Sequence, residues 1–126
     1  MRALWVVIGG GIGSVLRYWI SGAALAAWPG TMLPIGTIIV NILGCLVIGV
    51  LAGVSDARGL IGPEARAFLF TGLLGGFTTF SAFALETVNS SRSGAWMTAA
   101  TNVAVSVVFG LMAVWLGRAI ALRVLA

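Results

Sequence analysis

Apolar residues run through this chain in four long stretches, approximately Ala3 to Ala27, Ile35 to Val54, Ala65 to Val88 and Ala95 to Leu116, with short polar punctuation between them. Each is near the roughly 20 residues that a helix needs to cross about 30 Å of hydrocarbon, so the pattern predicts an all-α integral membrane protein with four transmembrane helices. The breaks are Trp28-Pro29-Gly30, Ser55 to Glu64 and Asn89 to Gly94; they carry turn residues, and Gly62-Pro63-Glu64 reads as a helix start. Connections this short make consecutive helices up-down neighbours. Trp28 and Trp96 then fall at one face of the bilayer and Trp5 and Trp115 at the other, where amphipathic rings settle. Residues 1–126 read as a single four-span membrane domain.

The third stretch contradicts itself. Gly72 to Phe83 reads Gly-Leu-Leu-Gly-Gly-Phe-Thr-Thr-Phe-Ser-Ala-Phe, residues poorly suited to a plain helix, so the third helix is expected to break near Gly75 to Thr79. Non-helical backbone at membrane depth survives only where protein or a polar cavity satisfies its N–H and C=O groups, and the break therefore points to an ion or substrate position. For the two glycines alone, close helix packing is the plainer reading.

Composition removes several classes. The 126 residues are 60% hydrophobic and 8% charged with mean hydropathy +1.14, which leaves too little polar surface for a water-soluble domain. Lipid is the expected surroundings. The net charge of +4 comes from seven arginines and no lysine against Asp56, Glu64 and Glu86, with no cationic cluster to neutralise phosphates, so nucleic acid is not an expected partner. Without histidine and with Cys45 alone, neither a zinc nor a haem site nor an intrachain disulfide is expected. No acid–base pair or activated nucleophile points to an enzyme. Arg2, Arg58, Arg66, Arg118 and Arg123 belong to the side that both termini share, against Arg92 and the deep-lying Arg17 on the other, which puts the termini in the cytoplasm. Arg2 and Ala24-Leu25-Ala26 have the outline of a cleaved signal, but Arg17 interrupts the run and Gly9-x-x-x-Gly13 suits a retained helix.

Polar residues inside the spans carry the functional argument. Thr37 and Asn41 share one face of the second helix, and Thr98, Asn102 and Ser106 recur at four-residue steps along the fourth until Gly110 ends the stripe. Singly, such hydroxyls back-bond to their own helix and asparagines join helices. Two stripes beside a broken helix instead read as a site of uncharged donors. Phe80 and Phe83 project to similar sides after the break; a ring's edge is positive, so it can favour an anion, although ordinary packing is the commoner use of such a pair.

The combination resembles the small bacterial fluoride channel family known as Fluc or CrcB, over nearly the whole chain. The matching pieces are Gly9-Gly10-Gly11-Ile12-Gly13-Ser14-Val15-Leu16-Arg17-Tyr18, Pro34-Ile35-Gly36-Thr37-Ile38-Ile39-Val40-Asn41-Ile42-Leu43-Gly44, and Gly72 to Phe83. The resemblance implies a passive, fluoride-selective channel of the bacterial inner membrane, working as an antiparallel homodimer with two pores. It implies that Asn41, Phe80 and Phe83 line the fluoride path and that Asn102 and Ser106 form a polar track, with Thr37 on the same face as Asn41. It also implies that the carbonyls of Gly75 and Thr78, with those of a second subunit, hold a central sodium ion.

Two departures stand beside it. The family's track continues with a hydroxyl one turn on, where this chain has Gly110 and then Val114. Dual insertion goes with nearly balanced positive charge, whereas the arginines here are lopsided, so uniform insertion stays open beside the dual topology and antiparallel pairing that the resemblance implies. Arg17 reads either as an anion attractor or as a structural cation, and Glu86 has no required role. A small proton-coupled antiporter for multidrug or guanidinium cations is the competing function, but it needs a deep carboxylate, and the first two spans have none. A structural subunit packed by glycine faces explains the small residues but not the polar stripes.

Overall fold

The computed structural model describes residues 1–125, the Arg58 side chain excepted; Ala126, the last residue of the expected domain, lies outside the described residues. The elements are α1 (Arg2–Ala27), α2 (Ile35–Arg58), α3 (Pro63–Arg66), a π-helical stretch (Ala67–Leu74), α4 (Gly75–Phe77), α5 (Phe80–Arg92) and α6 (Trp96–Leu125). Four helical runs, the third spanning Pro63–Arg92, are long and apolar enough to cross a membrane, and the chain is a multi-pass membrane protein.

Most boundaries fall where the polar punctuation puts them, with three corrections. The second helix runs on through Ser55 to Arg58 and stops at Gly59, whose φ of 59° is the left-handed cap that a glycine supplies. The third span continues through Asn89 to Arg92 before Gly94, at φ 84°, turns the chain. The fourth helix passes Leu116 and reaches Leu125, because the Arg118 and Arg123 side chains end the apolar run without breaking the helix.

Packing follows glycine seams. In lipid there is no hydrophobic drive between helices, so backbones must approach closely enough for dispersion to hold them. The π-helical stretch lies against α1: a Cβ on Gly72 would stand 2.9 Å from the Val6 carbonyl oxygen and 3.1 Å from Gly9 Cα. The partner seam joins α2 and α6, where a Cβ on Gly53 would come 2.7 Å from that of Ala121 and one on Gly117 2.9 Å from the Val50 nitrogen.

The arginine-rich end is gathered by the fold. Arg118 Nη2 meets Asp56 Oδ2 at 2.7 Å. Arg66 donates to Ser55 Oγ at 3.0 Å, and its guanidinium sits 4.9 Å from the centre of the Phe70 ring. Trp5 meets Phe68 edge-on at 6.3 Å, as an interfacial aromatic would.

Candidate functional site

The third span breaks at two residues. Thr78 (ψ 161°) and Thr79 (φ −152°, ψ 116°) are extended, between the single turn of α4 and the start of α5. Gly75 and Gly76 therefore remain helical, and the break lies at the threonine end of the expected window. Thr78 N–H still reaches the Leu74 carbonyl at 2.9 Å, with Thr78 Oγ1 donating to the same oxygen at 2.8 Å. The next amide leaves the helix: Thr79 N–H donates to Asn41 Oδ1 at 2.8 Å, and Asn41 Nδ2 donates to the Thr79 carbonyl at 2.9 Å. Asn41 thus supplies both partners that the interrupted helix withholds, the requirement that membrane depth imposes.

Thr79 also caps α5, its Oγ1 accepting from Ala82 N–H at 3.1 Å. Diverting these two amides, Thr79 to Asn41 and Ala82 to Thr79, deprives the Gly75 and Thr78 carbonyls of their helical donors four residues on. Neutral oxygens freed in this way fit a small hard cation, and one chain offers too few for a full shell. No side-chain cluster of His, Cys, Asp or Glu able to hold a metal exists among the described residues.

Beside the break lies a cavity of about 250 Å³, lined by Asn41, Cys45, Thr79, Phe80, Phe83 and Ser106 among others. The two rings stand 5.5 Å apart at 46°, and Phe80 is 79% exposed on the single chain. Asn41 brings one amide hydrogen not used on Thr79, and Ser106 brings a hydroxyl. A buried Gly110 continues the α6 face, and a Cβ there would sit 3.5 Å from Cys45 Sγ. The thiol from α2 therefore stands where the α6 stripe runs out.

The other expected residues are placed differently. Asn102 is only 1% exposed and lies behind the cavity: its Nδ2 donates to Thr87 Oγ1 at 2.8 Å, and its Oδ1 accepts from Ser106 Oγ at 3.3 Å. Thr37 shares a helix face with Asn41 but opens to a separate cavity of about 190 Å³ with Glu86, donating to Glu86 Oε1 at 2.7 Å. The second carboxylate oxygen, Oε2, is buried without a hydrogen-bond partner among the described residues. Arg17 lines a third cavity with Ser14, Tyr18 and Ser21, and Asp56–Arg118 is the one ion pair among the described residues.

Thr79, Cys45 and Thr87 are site residues that the polar stripes and the ring pair do not point to. Cys45 follows Asn41 by one helical turn and Thr87 follows Phe83 by one, a spacing that would have put each beside a residue already singled out.

A four-span membrane bundle with a discontinuous helix at a polar and aromatic cavity belongs to the class of proteins that pass ions or small solutes. The chain belongs to the family described as CrcB-like protein, Camphor Resistance (CrcB), which it matches over residues 4–118. It is 48% identical over 116 residues to a protein of Methylobacillus flagellatus named fluoride-specific ion channel FluC, covering 92% of this chain and 91% of that one. Proteins of the same name from Methylocella silvestris and Acidobacterium capsulatum are 42% and 37% identical, each across at least 95% of both chains.

Proposed function

We propose that this protein is a passive, fluoride-selective channel that lets the ion leave the cytoplasm down its electrochemical gradient. The observation that carries the reading is the cavity in which Asn41, Ser106 and the Phe80 and Phe83 rings converge beside the break. Family membership and the name that its relatives bear support the same ion. Fluoride is small and strongly hydrated, so its water must be replaced by other donors that do not hold it too firmly. A free amide hydrogen, a hydroxyl and positive ring edges meet that need, and no lysine is present to trap the ion. An interior-negative potential of 100 mV favours outward movement of an anion by about 2.3 kcal/mol, so no fuel is required.

The working unit in this reading is a homodimer, antiparallel as the resemblance implies. A Phe80 ring left 79% exposed on one chain would then be covered by the other. The Gly75 and Thr78 carbonyls of both copies would hold one sodium ion, neutralising oxygens that the break leaves bare. Asn102 steadies the track from behind, and Thr37 belongs to the neighbouring vestibule with Glu86.

The test is efflux from liposomes. The purified protein should dissipate a fluoride gradient and retain a chloride gradient; equal loss of both would remove selectivity, and flux that depends on an imposed pH gradient would favour the antiporter.

A further inference from the structure

We infer that Thr87, a residue outside the cavity, is a positioning residue that turns Ser106 into a switchable hydrogen-bond donor; this rests on the fluoride-channel reading. The argument follows the protons. Thr87 has one hydroxyl hydrogen, and it goes to the Phe83 carbonyl one turn back at 2.7 Å. Towards Asn102 it therefore presents only lone pairs. The buried amide must answer with Nδ2, which it does at 2.8 Å, and that choice turns Oδ1 towards Ser106. The Ser106 hydrogen then rests on Asn102 Oδ1, away from the cavity that its oxygen lines.

The lengths rank the links. The bonds at Phe83 and Thr87 lie near the usual optimum for their donors, whereas 3.3 Å is long for a hydroxyl donating to oxygen. An arriving anion therefore breaks the weakest link, drawing the Ser106 hydrogen into the cavity by rotation about one bond. When the ion departs, Oδ1 is waiting to take the hydrogen back. A competing acceptor of this kind lowers the ion's hold on Ser106 and favours release, the balance that conduction demands.

With the amide reversed, Nδ2 would donate to Ser106 Oγ and leave the hydroxyl hydrogen permanently in the cavity. The acceptor at Thr87 opposes that reversal, because its own hydrogen is committed to the Phe83 carbonyl. Thr87→Val removes the acceptor at nearly constant volume, so Asn102 satisfies its buried N–H on Ser106 instead.

The experiment measures fluoride efflux against concentration in liposomes. Thr87→Val is expected to lower both maximal flux and half-saturating fluoride concentration, each by about tenfold for one redirected hydrogen bond. Thr87→Ser, which keeps the hydroxyl, should behave as wild type. In a Ser106→Ala background, Thr87→Val should change nothing further. Wild-type flux in Thr87→Val, an unchanged or raised half-saturation, or a further loss on top of Ser106→Ala overturns the inference. Should Thr87→Val fail to assemble, Thr87→Cys, whose sulfur is a weak acceptor, takes its place under the same criteria. A wild-type protein without fluoride flux removes the channel reading and this inference together; a conducting wild type with an equally conducting Thr87→Val removes this inference alone.

Discussion

Asn41 and Thr79 clasp each other across 38 residues of sequence, side-chain amide to backbone amide, with bonds of 2.9 and 2.8 Å. The clasp replaces two helical hydrogen bonds with one side chain, and it fixes the amide that also faces the cavity. Asn41→Ala leaves both Thr79 groups bare. It should destabilise the fold by about 2 kcal/mol or more and abolish fluoride flux. Thermal unfolding in detergent together with liposome efflux checks both effects, and a stable, conducting variant would show that the clasp is dispensable.

Phe80 and Phe83 separate ring-edge chemistry from bulk. Replacing either by isoleucine keeps apolar volume and removes the polarised C–H rim. Flux should fall at least tenfold while elution volume on size exclusion stays that of wild type. Undiminished efflux from both variants would sink the role given to the rings.

Cys45 gives direct access to the cavity. Its thiol lines the same space as Asn41 and Ser106. A small charged thiol reagent that reaches it should block flux, and Cys45→Ala should conduct and resist the reagent. Labelling confirmed by mass without loss of flux would put the ion's route elsewhere.

The α1 seam predicts a steep dependence on single methyl groups. Gly72→Ala forces a Cβ to within 2.9 Å of the Val6 carbonyl oxygen, and no flexible side-chain end is there to yield. The expected cost is about 1–3 kcal/mol in thermal unfolding. Gly11→Ala, which meets nothing within 4 Å, is the control and should melt with the wild type.

How far the sequence was legible follows from which interactions are local. The spans were visible because transfer to hydrocarbon is a property of composition along a window, and the break because glycine and threonine are poor partners for a helix. The apolar runs stop short of the ends of α2, α5 and α6, since polar residues such as Ser55, Asn89 and Arg118 leave the apolar run without leaving the helix. Thr37 and Asn41 have the same helical spacing as any face-sharing pair; only the third span's path shows that one meets Glu86 and the other Thr79. Thr87 bonds back to its own helix as a membrane hydroxyl commonly does, yet its lone pairs orient an asparagine 15 residues away. Such a tertiary contact has no local signature.

The clasp also has a timetable. Translation proceeds at about 5–20 residues per second, so Asn41 is made some seconds before Thr79 follows. The nascent third span consequently arrives at a bilayer already holding the amide that its kink requires. Moving that amide downstream, by circular permutation for instance, would oblige the translocon to release a bare peptide group into oil and await rescue.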